Sequence, residues 1–470
     1  MSSIRNIQLF CCISAILIFS LLLKEQPLSL WSPGILFTSF ALVIYNLKGM
    51  KVSSVVIEQL NFSILFILLG YVYYIFPLGP DNLRVDDPLA VFDSQKYALS
   101  AKMTIEYGYG LGHWLSYGIE QYLIVIYRTF GINEVNVLAI NSLIFIASVA
   151  VFRKIIFNTG DSSFSLTIFM ALVPLTFFYS IQPSKEILSI LIVAAFLRLM
   201  TIQGVYSPTK QFILFTLLFS IALYIRINLA IFLMLFLLVA RVNFNRRFFF
   251  LKLLRLAIVA LIAILIVNEF SLKFVGVGVD YWFEKILDLT NAKERLNQAT
   301  MNNHDDTSLS YSIKRLLSPE SVWLNIIFLP LKMIIVWISP FPLLSGAFTL
   351  PTDSGNVVIF GQTLLSSISG LLNFILLPAV FVLIKRFNEL SASTKLVFVF
   401  IMTYLAMIAF SYHTQFTRHR VLVEIPVYII FLKYSTVWLP TYKKSVQAAA
   451  IFMFITAFSV IFFLQAYKWS

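Results

Sequence analysis

Apolar runs of membrane-spanning length recur along almost the whole chain, and that recurrence leaves few folds open. A transmembrane helix needs about 20 largely apolar residues. Candidate runs occupy 8–24, 30–46, 57–78, 134–152, 163–181, 186–202, 211–225, 228–240, 253–270, 322–345, 358–384, 396–411, 421–437 and 446–466. Backbone amides in hydrocarbon must be bonded within their own segment, so such runs predict helices. The expected fold is all-α: a polytopic integral membrane bundle of roughly 12–14 hydrophobic segments, with juxtamembrane helices on its outer face. Residues 1–470 read as one transmembrane domain with no separate soluble domain and no internal repeat.

Composition agrees. Of 470 residues, 59% are hydrophobic and 12% charged, against roughly 45–50% and about 25% in soluble domains. The net charge of +13 raises nucleic acid as a partner. Its cations cluster between apolar runs, however, which fits membrane orientation and anionic lipid instead. Cys11 and Cys12 are adjacent in the first run and can form neither a disulfide framework nor a metal site. No small-residue cleavage site follows that run, so it reads as a retained helix rather than a signal peptide.

Cytoplasmic loops carry an excess of Lys and Arg. With the N-terminus inside, Lys48, Arg153, Arg198, Arg246, Lys385 and Lys443 fall in inner loops. The outer side then receives 79–133, the turn from Gln182 to Glu186, loop 271–321 and 411–420. Arg226 would sit deep in hydrocarbon if 211–240 were one helix, so a hairpin with Arg226 at its turn is expected. The layout also requires 322–345, which holds Pro330, Lys332, Pro340 and Pro342, to be re-entrant or interfacial. Within 271–321, Tyr281–Ala299 suits an amphipathic surface helix.

Four places combine charge with position. Asp86, Asp87 and Asp93 follow an early run, and carboxylates beside a bilayer are costly unless solvated or used. Asp93 and Tyr97 share a helical face, though Asp93 also suits a helix N-cap. The aromatic, glycine-rich stretch that follows, with Tyr109, His113 and Trp114, suits a sugar ring. Lys185 and Glu186 open a helix: a snorkelling lysine beside a dipole-favoured glutamate, or a phosphate and sugar contact. Arg226 is either half of a structural ion pair or a contact for an anion. Arg418 and Arg420 lie on the outer side, where orientation gives cations no role; bidentate phosphate binding and simple lipid anchoring are the two readings. His413 and His419 lack metal-ligand spacing.

Taken in order, Asp93-Ser-Gln-Lys-Tyr97, Ile119–Asn141 with its turn from Tyr127 to Asn133, Pro183-Ser-Lys-Glu186 and Arg418 to Pro426 resemble the GT-C superfamily of integral-membrane glycosyltransferases. The resemblance spans roughly 60–440 of the chain through short, degenerate motifs. It implies a sugar donor on a polyprenyl phosphate or pyrophosphate, with an acidic residue of the first large outer loop acting as base or orienting the acceptor, and late basic residues on the carrier phosphate. Three apolar runs precede Asp93, where many members have one, and Asp86, Asp87 and Asp93 compete for the acidic role. The stretch Trp337-Ile-Ser-Pro-Phe-Pro342 also looks like segments of Wzy-type repeat-unit polymerases of bacterial surface polysaccharides.

The resulting expectation is a glycosyltransferase of the bacterial inner membrane, active on its periplasmic side. Asp93, with Asp86 and Asp87 as alternatives, acts as base; Arg226, Arg418, Arg420 and Lys185 hold the donor phosphate. Tyr97, Tyr109, His113, Trp114 and Glu186 contact sugar or acceptor. The partners are a polyprenyl-linked donor, an envelope glycan or lipid acceptor and membrane lipid, with no nucleic acid. No cofactor is required, although the acidic outer face is compatible with a divalent metal. The rivals are a repeat-unit polymerase and, outside enzymes, a lipid-linked glycan flippase. A flippase needs charges along a central cavity, whereas these motifs gather at one face.

Overall fold

The structure is a computed structural model that describes residues 93–108, 117–132, 134–157, 173, 176, 179, 182–202, 206–241, 326–338, 354–410 and 420–434. The expected runs at 8–24, 30–46, 57–78, 253–270 and 446–466 and the loop 271–321 lie outside these residues, as does most of 163–181. The described elements are all helical.

Helix α1 (Asp93–Tyr107) ends at Gly108 and α2 (Tyr117–Phe130) at Gly131. Both glycines have positive φ, 77° and 91°, a conformation that side chains resist. The Gly131 amide donates back to the Tyr127 carbonyl at 2.9 Å. The Asn136 side-chain amide, from α3 (Glu134–Phe157), donates to the Phe130 and Gly131 carbonyls at 2.9 and 3.1 Å. The orphan carbonyls of the α2 end are thus bonded, which fixes the turn into α3.

Helix α4 (Lys185–Thr201) packs along α3. Next come α5 (Pro208–Ile225) and α6 (Ile227–Arg241). Pro208 stands in the first turn of α5, and the Ser207 hydroxyl accepts from the Lys210 amide at 3.3 Å, a proline-and-serine start that suits a helix. Arg226 alone separates the two helices, in extended conformation with φ −158° and ψ 97°. Phe196 of α4 meets Phe215 and Phe219 of α5 at 5.8 and 6.1 Å, and Phe236 of α6 at 6.2 Å. Residues so far on either side of Arg226 can share one ring only if the helices fold back together. The chain makes the hairpin that the buried charge demanded.

Helices α7 (Leu329–Ile338), α8 (Ser354–Lys385), α9 (Ala392–Phe410) and α10 (residues 420–434) complete the described bundle. A single 3-10 turn, Phe387–Glu389, joins α8 to α9. The Ser391 hydroxyl accepts from the Thr394 amide at 3.4 Å to start α9. A large apolar core joins α3, α4, α5, α6, α7, α8, α9 and α10. A smaller one joins α1, α2 and the start of α3 around Tyr97, Leu123 and Tyr127. Leu188 of α4 packs against both, so the first turns of α4 are where the two cores meet.

Two described stretches, Ile368–Lys385 in α8 and Ala392–Phe410 in α9, are long and apolar enough to cross a membrane. Shorter apolar helices lie at Thr209–Ile225, Ile227–Leu237 and Leu329–Ile338. Large apolar side chains face outward on several of them, Phe212 at 72% and Phe381 at 53% exposure, a surface that water would disfavour.

Candidate functional site

The seam between the two cores holds an ion pair. Glu186 is in the first turn of α4, where the helix dipole favours a carboxylate. The Ser184 hydroxyl does not cap that helix; it donates to the Tyr179 carbonyl at 2.8 Å. Arg226 Nη1 approaches Glu186 Oε1 to 3.6 Å, with the two side chains 12% and 0% exposed. That separation is longer than a hydrogen bond. Tyr404 of α9 is buried within electrostatic reach of both groups.

The backbone around Arg226 explains why the charge is here. Its amide still donates to the Ala222 carbonyl at 2.7 Å, and its carbonyl accepts from the Leu229 and Ala230 amides at 3.0 and 3.2 Å. The last bond of α5 and the first of α6 therefore share one residue. Its side chain leaves the hairpin tip toward the start of α4.

Helices α1 and α2 close the other side. Lys185 Nζ lies over the Tyr97 ring, 5.7 Å from its centroid, a contact worth about 0.5–1 kcal/mol. Tyr97 is buried four residues after Asp93, the first residue of α1. The Tyr122 hydroxyl donates to Asn141 Oδ1 at 2.6 Å, and Asn141 Nδ2 donates to the Gln182 carbonyl at 2.8 Å. That relay ties α2 and α3 to the turn before α4. Burial pushes the Tyr122 phenol above the usual tyrosine range, so it stays a donor. Gly118 of α2 sits so close to the α5–α6 turn that a β-carbon would lie 2.2 Å from the Tyr224 carbonyl oxygen.

Arg420 goes elsewhere. The expectation of an outer-surface phosphate contact meets a fully buried side chain within α10. Its Nε donates to Glu424 Oε1 at 2.8 Å, Nη1 to the Trp337 carbonyl at 2.8 Å, and Nη2 to Ser369 Oγ at 2.9 Å. Ser369 Oγ and Thr176 Oγ1 both donate to Glu424, each at 2.7 Å. Asn373 extends the network: its Nδ2 donates to the Trp337 carbonyl at 3.0 Å, while its Oδ1 accepts from the Tyr428 hydroxyl at 2.8 Å. The guanidinium is consumed by protein groups on α7, α8 and α10, and no carrier phosphate can approach it. The reason is packing, because three helices present acceptors to one buried charge.

Of the residues singled out in the sequence, Lys185 is thus set against Tyr97 and the adjacent Glu186 against Arg226, with Asp93 one turn before Tyr97. Asp86, Asp87, Tyr109, His113, Trp114 and Arg418 lie outside the described residues. Tyr404 and Gly118 escaped the sequence reading, as did the whole Ser369–Asn373–Tyr428 arm; Tyr122 and Asn141 entered it only as part of the stretch Ile119–Asn141, with no role assigned. Only the unusual Gly118 inside a helical pattern left a local signal. Among the described residues no cluster of three or more His, Cys, Asp or Glu forms a metal-binding group. No family model, curated protein or solved structure matches the chain.

Proposed function

We propose that this chain is a multi-spanning membrane glycosyltransferase of the GT-C type. It would move a sugar or glycan from a polyprenyl phosphate or pyrophosphate to an envelope glycan or lipid on the outer face of a bacterial inner membrane. The observation that carries the reading is the pair of contacts in the first turn of α4, Lys185 over the Tyr97 ring and Glu186 against Arg226. Each adjacent position of that turn thus carries a charged contact to another element, in a protein several of whose described helices expose large apolar side chains.

In this reading a carrier phosphate takes the place of the Glu186 carboxylate against Arg226, with Lys185 beside it. The long 3.6 Å contact is easier to exchange than a close hydrogen-bonded pair. As the acceptor oxygen attacks the anomeric carbon, the bond to the carrier oxygen breaks and negative charge grows on the phosphate. Fixed cations stabilise that charge in the transition state. Asp93 takes the acceptor hydroxyl proton as general base, and the Tyr97 ring positions Lys185.

The test is transfer by purified protein in nanodiscs, with polyprenyl-linked donor and a glycan acceptor. Asp93→Asn keeps the size and removes the base, so transfer should fall by at least the 10²–10⁴-fold usual for a general base while insertion and melting are unchanged. Normal transfer by the Asn variant would sink the mechanism.

A further inference from the structure

A second concavity lies away from the Arg226 pair. It is a cavity of about 170 Å³ between α7, α8, α9 and α10, and its walls, including Met333, Trp337, Leu377, Phe398 and Leu405, are entirely apolar. Apolar cavities of about 150 Å³ stay dry and accept hydrocarbon ligands. Phe381 and Ile384 belong to the wall and are also 53% and 44% exposed, so the cavity opens sideways onto the outside of the bundle. The opening lies on α8, which with α9 supplies the two described stretches able to cross a membrane. In a bilayer the medium at that opening is lipid chains.

Charge gathers at one end of the same cavity. The wall residues Leu383 and Ile384 are followed directly by Lys385 and Arg386. Phe398, also in the wall, stands 6.1 Å from the ring of Phe387. Lys395 Nζ lies over that same Phe387 ring, 5.8 Å from its centroid. Lysine and arginine therefore flank the α8–α9 turn where the apolar cavity ends. The acid in that turn, Glu389, is already held by Arg386 Nη1 at 3.2 Å. The local balance remains positive.

We propose that the cavity receives a segment of one acyl chain of an anionic phospholipid, whose headgroup phosphate rests on Lys385 and Lys395. An apolar slot ending in cations matches a ligand that is a hydrocarbon at one end and an anion at the other. Basic sites between membrane helices bind anionic headgroups in this way. The proposal rests on the membrane placement of α8 and α9 and not on glycosyl transfer at Arg226.

The experiment is native mass spectrometry of the full chain in detergent, titrated with phosphatidylglycerol or phosphatidylcholine of identical chains. Phosphatidylglycerol should be retained roughly 30-fold better, about fivefold per lysine. Lys385→Gln with Lys395→Gln should erase that preference, and Val380→Phe should weaken retention of both lipids by filling the slot. Should Val380→Phe not fold, the two surface lysine changes still decide the matter. Equal retention of the two lipids by the native chain, or an undiminished preference in the double variant, overturns the proposal. Displacement of phosphatidylglycerol by an equal or lower concentration of polyprenyl phosphate also overturns it, assigning the slot to the carrier tail. Asp93→Asn should leave retention unchanged, so failure of the transfer mechanism is distinguishable from failure here.

Discussion

Two arginine–glutamate pairs among the described residues, one fully buried and one partly buried, are built differently. Arg420 and Glu424 are one turn apart on α10, both side chains fully buried, at 2.8 Å. Ser369, Thr176 and the Trp337 carbonyl occupy the remaining donors and acceptors at hydrogen-bond distance. Arg226 and Glu186 come from different helices, stand 3.6 Å apart, and leave the arginine side chain 12% exposed at a chain reversal. Desolvating an ion pair is costly, and only good geometry with further hydrogen bonds offsets it. The first pair meets that condition from every side and reads as a clamp joining α7, α8 and α10. The second joins two helices through a longer contact at a chain reversal, and it is the pair at which the proposed anion exchange is placed.

The comparison is sharpest at its most damaging substitution. Removing Arg420, as Arg420→Ala, should cost about 3–5 kcal/mol because Glu424 is left as an uncompensated buried charge. The expected result is loss of folded protein, read as yield of monodisperse protein in detergent. The double change Arg420→Met with Glu424→Leu should recover much of that loss, since apolar replacement of a whole pair is often neutral. If Glu186→Gln lowers the melting temperature as much as Glu424→Gln does, the distinction between clamp and site collapses.

Next in size is the expected effect at Arg226. Arg226→Lys should preserve melting but weaken donor dependence, because lysine keeps the charge and loses the planar fork. A lost charge-assisted contact of about 1.5–3 kcal/mol corresponds to roughly ten- to a hundredfold in apparent donor affinity. Transfer rate against donor concentration measures it, and an unchanged curve would return Arg226 to the structural class.

Gly118→Ala tests whether the open pair depends on its packing. The added methyl would lie 2.2 Å from the Tyr224 carbonyl oxygen, which is backbone and cannot step aside cheaply. Overpacking of this kind typically costs about 1–3 kcal/mol. Displacement of the α5–α6 turn should raise the donor concentration needed for half-maximal transfer more than it lowers melting. An alanine variant with native melting and native donor dependence would break the link between α2 and the site.

The smallest effect belongs to Tyr122, whose hydroxyl bonds Asn141 at 2.6 Å. Tyr122→Phe removes one hydrogen bond, and stability should fall by about 0.5–1.5 kcal/mol. Because burial raises the folded-state pKa of this phenol, its contribution is fully present below the unfolded tyrosine value of about 10. It is lost as pH rises beyond that, since ionisation favours the unfolded chain. The native protein should therefore lose more stability than the Phe variant between pH 9 and pH 11, by about 1 kcal/mol. Parallel curves would show that Tyr122 is solvated.

Helices were legible in the sequence because hydrophobic length and the penalty on unpaired backbone act locally. Arg226 announced the hairpin for the same reason: one charge inside an apolar run is costly wherever the run goes, and a turn is the nearest relief. Lys185 and Glu186 were legible as a helix start beside a proline. The fate of Arg420 was not. Its motif shows cations in sequence next to an apolar run, and nothing in that spacing reveals that Ser369 and Trp337, 51 and 83 residues away, present a hydroxyl and a carbonyl to it. Tyr404 reaches the Arg226 pair across a still longer separation, and Gly118 is required only because another helix's carbonyl lies against it. Apolar length and isolated charge are properties of a segment, so the sequence determined the helices and the break between α5 and α6. Which arginine is locked in a close hydrogen-bond network and which stands in a longer ion pair depends on acceptors brought from distant helices. Only the packed tertiary structure decides that.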